Sequence, residues 1–258
     1  MGLYKYLNPL SYIKLLKSEV LKFSNKTIHI IRYFIFNLKN LILRKPEDLI
    51  NLHFDFYSDP VHYNFAMFHH LLGTFKSKPL QILETGSSAH GINSSHLFIN
   101  YIKKFGGNFY TVDINPNVKE VLSKFESHSI NIFTSDSVRF LKLLDKDIVR
   151  NLDIVYLDSF DLDLMNPEPS ENHGLNEFIN IYKDLKVGCL VAIDDTPSDY
   201  SYFLPIKSEV KEEYKKQIKK NGQDYIPGKG RKILDLIATD KNFKVIFHEY
   251  AVILKKIN

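Results

Sequence analysis

The feature that most constrains the fold is an alternation of strand-like and helix-like segments that begins after Pro46. Five short apolar stretches, most of them β-branched or aromatic and without polar alternation, predict strands that are buried on both faces. The predicted strands are 80–84, 108–113, 131–134, 153–158 and 187–194. The predicted helices between them are about 93–105, 116–127, 136–149 and 173–185. This alternation predicts an α/β domain whose parallel sheet is covered by helices.

Two further strand-like stretches, 243–248 and 251–255, close the sequence. Too few residues separate them for a helical crossover, so they must pair antiparallel. We therefore predict one domain over 47–258, with irregular insertions near 159–172 and 196–232. Both insertions follow the carboxyl ends of strands, which is the edge where open α/β sheets bind ligands.

The N-terminal segment differs from the rest of the chain in charge. Residues 1–45 carry nine Lys and Arg against one acid, Glu19, although the net charge of all 258 residues is only +4. The remainder is therefore mildly acidic, which argues against a nucleic-acid partner there and leaves 1–45 as the segment that an anionic partner would meet.

Residues 1–46 are predicted to form a basic amphipathic helical extension. Within 10–23, four apolar side chains fall near one helical face: Ile13, Leu16, Val20 and Phe23. The apolar run 28–43 is interrupted by charged and amide side chains, whereas a membrane-spanning helix needs ~20 predominantly apolar residues. We expect the extension to cap the domain or to form a dimer arm, and the alternative is peripheral contact with the inner face of a membrane.

The cysteine content bears on the compartment. Cys189 is the single cysteine and lies inside an apolar run, so neither an internal disulfide nor a cysteine zinc site is available. We therefore expect cytoplasmic residence.

The stretch 81–94 is a strand that runs into a turn of small residues and then into a helix. Glu84 ends the strand and Gly86 follows two positions later. With the five strands and the terminal hairpin, this motif resembles class I S-adenosylmethionine-dependent methyltransferases over roughly 75–258, and the pattern is closest to metal-dependent small-molecule O-methyltransferases of the catechol or sugar type. A dinucleotide site is the competing interpretation, but its G-x-G-x-x-G fingerprint is absent.

The resemblance implies a Rossmann-like sheet of seven strands, five parallel and two in the antiparallel hairpin, with S-adenosylmethionine as the cofactor. By the same resemblance, Glu84, Gly86 and Ser87 hold the methionine end of the cofactor. Asp113, at the end of the second strand, accepts hydrogen bonds from the ribose hydroxyls. Asp113 could also cap the following helix, but Asn115 is better placed for that.

Asp136 and Ser137 follow the third strand, where the family holds the adenine ring. Asp136 would bind the exocyclic amine, with Ser137 alongside. The alternative is that Asp136 is the N-cap of the next helix.

Three carboxylates follow the fourth and fifth strands: Asp158, Asp194 and Asp195. Converging buried carboxylates require a cation, a proton or hydrogen-bond donors. The resemblance implies that these three hold Mg²⁺ or Mn²⁺, which are hard cations that prefer oxygen ligands.

Two further groups are candidates for chemistry. Asp158 and His173 are the predicted catalytic residues, and His173 could remove a hydroxyl proton because histidine titrates near neutral pH; the alternative is that His173 only begins a helix. Lys229 and Arg231 lie in a glycine-rich loop that would suit a phosphate or carboxylate on the substrate. That loop could equally be an exposed charged loop.

The predicted activity is methyl transfer from S-adenosylmethionine to a hydroxyl of a small molecule, for example a saccharide or an activated sugar. The alternative from another functional class is a non-catalytic binding or scaffold protein of methyltransferase fold, docked through the N-terminal extension. Binding of S-adenosylmethionine distinguishes the two.

Overall fold

The computed structural model describes residues 27, 30, 31, 33, 35, 36, 38–40, 42–57, 62–87, 92–203, 208–222 and 225–258. The chain divides into two units, 1–43 and 44–258. Those residues of 27–42 that are described are helical, whereas the predicted amphipathic face within 10–23 lies outside the described residues. Within the described ranges, no helix is long and apolar enough to cross a membrane.

The second unit contains one mixed sheet of seven strands. They are β1 Leu80–Thr85, β2 Gly107–Asp113, β3 Ile130–Thr134, β4 Ile154–Leu157, β5 Leu190–Ile193, β6 Phe243–His248 and β7 Val252–Lys256. Strands β1 to β5 are parallel, and β7 runs antiparallel between β5 and β6, in the order β3-β2-β1-β4-β5-β7-β6. The predicted fold class is confirmed, including the antiparallel terminal pair.

The sheet changes its direction of growth at β1, which pairs with β2 on one side and β4 on the other. A crevice forms at the carboxyl ends of such neighbouring strands because their connections leave toward opposite sides. Every residue of β4 and β5 is buried, which explains why these strands have no polar alternation. The switch point therefore places the turn after β1 beside the end of β4.

Nine α-helices are assigned among the described residues of the second unit. They are α1 Pro46–Tyr57, α2 Phe65–Gly73, α3 Ser94–Phe105, α4 Pro116–Leu122, α5 Ser137–Leu143, α6 Lys146–Asn151, α7 Glu168–Ile181, α8 Ser208–Asn221 and α9 Arg231–Thr239. Short 3-10 helices occupy Ser123–Phe125 and Tyr200–Phe203.

The helix predicted over 136–149 is two helices. Leu144 is extended, and Asp145 begins α6 by accepting a hydrogen bond from the Asp147 N–H at 2.8 Å. A side chain that caps a new N-terminus in this way ends the preceding helix and restarts the chain in a new direction.

The two predicted insertions contain more helix than expected. Helix α7 begins at Glu168 rather than at 173, since a proline near the first turn costs no backbone hydrogen bond and Glu168 and Glu171 complement the helix dipole. Helix α8 lies within 196–232 because its sequence is dominated by Glu, Lys and Gln, which favour helix in the absence of proline and glycine.

Candidate active site

The turn after β1 requires glycine at position 86. Gly86 has a φ of 76°, and a Cβ built there would lie 2.2 Å from the carbonyl oxygen of Asp158 and 2.5 Å from Cα of Ser159. The Gly86 N–H donates to the Val112 carbonyl at 2.9 Å, and the Asp158 N–H donates to the Thr85 carbonyl at 2.9 Å. The turn is therefore packed directly on the main chain that follows β4. Gly91, the second glycine of the motif, lies outside the described residues.

Glu84 lies below this turn and is completely buried. Its carboxylate accepts hydrogen bonds from the hydroxyls of Ser94 at 2.6 Å, Ser95 at 2.5 Å and Thr111 at 2.7 Å. The Thr111 hydroxyl is also 2.6 Å from that of Ser87, so Ser87 donates to Thr111, which donates to Glu84. These contacts join the turn, β2 and the start of α3. The predicted contact of Glu84 with the methionine end of a cofactor stays a prediction.

Replacing Glu84 should change how stability depends on pH. Burial raises the pKa of Glu84 to about 7, against the hydrogen bonds of the three hydroxyls. A carboxyl whose pKa is raised in the folded state contributes fully to stability at pH values below its pKa in the unfolded chain. That contribution is lost as the pH rises through the folded-state pKa of about 7. Between pH 4.5 and 8, the free energy of unfolding of the wild type should therefore fall by roughly 3 kcal/mol relative to that of Glu84→Gln.

Urea denaturation of the wild type and of Glu84→Gln between pH 4.5 and 8 measures the difference between their free energies of unfolding. The contributions of the other titrating groups are common to both proteins and cancel in this difference. Parallel curves would show that folding does not raise the pKa of Glu84.

A cavity of about 210 Å³ opens beside the turn, at the carboxyl ends of β1, β2 and β3. Its lining residues are Gly86, Val112, Asp113, Ile114, Asp136, Ser137, Ser159, Phe160 and His173. Four of the residues predicted to bind the cofactor line this cavity: Gly86, Asp113, Asp136 and Ser137. The other two, Glu84 and Ser87, belong to the hydrogen-bond network with Thr111 described above.

The two aspartates of the cavity have different local roles. Asp113 accepts a hydrogen bond from the Asn115 N–H at 2.7 Å, and burial raises the pKa of Asp113. Asn115 itself caps α4 by accepting from the Asn117 N–H at 3.0 Å. Asp136 is the N-cap of α5 and accepts from the Arg139 N–H at 2.8 Å, so the capping alternative applies to Asp136. Its role toward adenine stays a prediction.

His173 lies inside α7, five residues after the helix begins, so it does not start that helix. Its Nε2 is 2.9 Å from the Ser137 hydroxyl and 3.7 Å from Oε1 of Glu177, and its ring is 5.2 Å from that of Phe160. Ser159 donates to the same Glu177 oxygen at 2.7 Å. His173 is thus held against the cavity that Asp113 and Asp136 also line.

The structure brings Asp158, Asp194 and Asp195 together at the ends of β4 and β5. One carboxylate oxygen from each lies within 4.8 Å of the other two. Asn64, just before α2, donates to Oδ1 of Asp194 at 2.7 Å, and the Tyr250 hydroxyl donates to Oδ1 of Asp195 at 2.5 Å. We refer to the three aspartates as the carboxylate cluster.

Lys229 enters this cluster rather than an exposed loop. Its side chain is buried, and Nζ lies 2.5 Å from Oδ1 of Asp158 and 3.0 Å from Oδ2 of Asp195. Burial alone would lower the pKa of Lys229, but the three carboxylates raise it well above its usual value. Lys229 and the Tyr250 hydroxyl lower the pKa of Asp195 despite its burial. The ammonium is therefore charged throughout the physiological range.

The pKa values of the other two carboxyls of the cluster are raised rather than lowered. Burial, reinforced by the neighbouring carboxylates and opposed by Lys229, raises the pKa of Asp158 and of Asp194. One ammonium does not balance three carboxylates, of which Asp194 is buried and Asp158 and Asp195 are half-buried, so a proton on Asp158 or Asp194 relieves the remaining repulsion.

The oxygens of the cluster are the donors that Mg²⁺ prefers, but the present arrangement does not fit the ion. Mg²⁺ requires oxygens at ~2.1 Å. An ion bound to Oδ1 of Asp158 would lie within about 4.6 Å of an ammonium that is 2.5 Å from the same oxygen. The metal site inferred from the sequence stays a prediction, in competition with Lys229.

Arg231 is placed apart from Lys229. It begins α9 and forms an ion pair with Asp235 one turn later, at 3.0 Å. The two cations predicted to bind a substrate anion together therefore have different surroundings.

Sequence reasoning did not identify Asn64 and Tyr250 as members of this site. Tyr250 could have been found from strand register, because Ile193 pairs with Val252 in the antiparallel β5–β7 ladder and continuation by two residues places Tyr250 beside Asp195. Asn64 comes from a segment distant in sequence and has no comparable signal.

No protein-family model and no curated protein matches the sequence. Among solved structures, the chain is similar to the MycE methyltransferase from the mycinamycin biosynthetic pathway in complex with Mg, SAH and mycinamycin VI, with a TM-score of 0.53 and 16% identity over 83% of this chain and 54% of that one. A structure of MycE with Mg and SAH, in its first crystal form, gives a TM-score of 0.53 and 15% identity over the same shares. The chain thus spans about half the length of this relative, and at this identity the likeness concerns the fold.

Proposed function

We propose, on the premise that this chain has the fold of the class I methyltransferases, that it transfers the methyl group of S-adenosylmethionine to a hydroxyl of a small molecule such as a saccharide or an activated sugar. The observation that carries the proposal is the cavity at the switch point of the sheet. It is lined by Gly86, Asp113, Asp136 and Ser137, which are the positions that the sequence motifs assign to the cofactor.

The residues present fit such a cofactor. Gly86 lines the cavity, so the methionine end can lie against its main chain, and Asp113 offers a carboxylate to the two ribose hydroxyls. Asp136 and Ser137 would flank the adenine ring at the start of α5. When bound, S-adenosylmethionine supplies a sulfonium methyl group that is open to in-line displacement.

The carboxylate cluster would receive the acceptor. The acceptor oxygen forms a bond to the methyl carbon as the carbon–sulfur bond breaks, S-adenosylhomocysteine leaves, and the hydroxyl proton passes to a carboxylate. Asp158 is one candidate base, because it lies directly after β4 and burial raises its pKa. His173, which contacts Ser137, is the second candidate.

Calorimetric titration with S-adenosylhomocysteine tests the function. We expect one site per chain, with NAD as a matched ligand that does not bind because the dinucleotide fingerprint is absent. Transfer of isotope-labelled methyl groups to a panel of saccharides, nucleotide sugars and catechols would then identify the acceptor. A folded chain that binds neither S-adenosylmethionine nor S-adenosylhomocysteine would rule out the enzyme and favour the scaffold protein.

A further inference from the structure

The geometry points to Lys229 as the resident cation of the carboxylate cluster, in the place of the divalent ion that the sequence motif predicts. The consequence is a site that orients an acceptor oxygen with an ammonium and carboxylates and that excludes Mg²⁺ and Mn²⁺. Only the orientation of the acceptor rests on the proposed function, since exclusion of an ion is a property of the cluster itself.

The first support is the position of the ammonium. Lys229 is 4% exposed and its Nζ bridges Asp158 and Asp195, which follow two different strands. A buried charge is stable only when it is paired, and here the charge joins the two carboxylates that a metal ion would otherwise join.

The second support is the way in which the main chain holds Lys229. The Lys229 N–H donates to the Asp195 carbonyl at 3.0 Å, and the Gly230 N–H donates to the Thr196 hydroxyl at 2.9 Å. A Cβ at Gly228 would lie 2.9 Å from the Asp195 carbonyl oxygen, and one at Gly174 would lie 2.4 Å from the Lys229 carbonyl oxygen. The glycines therefore allow this segment to approach the end of β5 and α7 closely, which aims the side chain into the cluster.

The third support is that neutral donors occupy other oxygens of the cluster. Asn64 donates a hydrogen bond to Oδ1 of Asp194. Tyr250 donates to Oδ1 of Asp195, whereas Lys229 contacts Oδ2 of the same carboxylate. A hexacoordinate ion would have to displace the ammonium and reorganise these contacts. Side chains of the protein thus already bind one oxygen of Asp158, one of Asp194 and both of Asp195.

In the proposed reaction, Lys229 replaces the orienting function of a metal. An ammonium has three N–H groups. Two of these N–H groups are directed to Asp158 and Asp195, and in the proposed reaction the third donates to the acceptor oxygen. A hydrogen bond from this fixed charge stabilises negative charge that develops on that oxygen as its proton leaves.

Titration of the full chain with Mn²⁺ tests the inference. Chelator-treated wild type should bind no Mn²⁺ below about millimolar concentration, whereas Lys229→Ala should bind one ion about a hundredfold more tightly, because the competing charge is gone and the carboxylates remain. Added Mn²⁺ should raise the melting temperature of Lys229→Ala but not of the wild type. Lys232→Ala is the matched control, since Lys232 contacts Asn172 and Glu168 outside the cluster, and it should behave as the wild type.

Micromolar Mn²⁺ binding by the wild type would overturn the inference, as would a folded Lys229→Ala that binds none. Asp194→Asn added to Lys229→Ala should abolish the new site, and binding that survives would place the ion elsewhere and also contradict the inference. If Lys229→Ala does not fold, Lys229→Met keeps an apolar stem in the buried position and is titrated instead. Titration with S-adenosylhomocysteine is a separate readout, so failure of the proposed function is distinguishable from failure of the Lys229 assignment.

Discussion

Gly86→Ala is expected to lower the free energy of unfolding by about 4 kcal/mol and to abolish binding of S-adenosylhomocysteine. Two penalties add. The alanine Cβ would lie 2.2 Å from the carbonyl oxygen of Asp158, which belongs to main chain held by the Thr85 carbonyl and cannot move away independently. The φ of 76° is in addition unfavourable for any residue with a side chain.

Gly188→Ala is the control that separates these penalties. Gly188 also has a positive φ, of 91°, but a Cβ there would meet nothing within 4 Å. Its replacement should therefore cost only ~1–2 kcal/mol, the cost of the backbone conformation. Urea denaturation gives both free energies, and calorimetry gives the affinity. Equal losses of stability for the two variants would show that the turn is not packed on β4 as described.

Asp113→Ala is expected to weaken binding of S-adenosylhomocysteine about a hundredfold or more, because two ribose hydroxyls lose a charged acceptor and each such hydrogen bond contributes ~1.5–3 kcal/mol. The variant should fold, since the Asp113 side chain lines the cavity and its local contacts are hydrogen bonds accepted from the main-chain N–H groups of Asn115 and Ser87. The affinity is measured by calorimetry and folding by circular dichroism.

Asp145→Ala is the matched control for Asp113→Ala. Asp145 accepts the same kind of hydrogen bond, from the N–H two residues later at 2.8 Å, but it is exposed at the start of α6 and does not line the cavity. It should lose similar stability and keep full affinity. An unchanged dissociation constant in folded Asp113→Ala would refute the ribose role.

The strands and the edge at which the site lies could be predicted because they depend on local pattern. Apolar runs such as 153–158 have no polar alternation, and in the fold β4 and β5 are buried along their whole length. Polar side chains at the carboxyl ends of the predicted strands, including Asp113, Asp158 and Asp194, therefore had to lie at one edge of a parallel sheet.

Helix boundaries were less predictable because competing signals of similar strength decide them. The cap formed by Asp145 divides 136–149, and α8 forms within a segment whose charge suggested a loop. Each outcome depends on about 1 kcal/mol of capping or intrinsic helix preference.

The sequence by itself determined the order of the strands along the chain, the antiparallel terminal pair, the small-residue turn at Gly86 and the carboxylates after β4 and β5. Periodicity and turn chemistry act over a few residues, so they can be read without the fold. Only the tertiary structure decided what balances the charge of the carboxylate cluster. Lys229 is 71 residues from Asp158, and Asn64 is 130 residues from Asp194. Such contacts arise when burial forces charged and polar groups from distant segments to satisfy one another, and no local pattern records which group will do so.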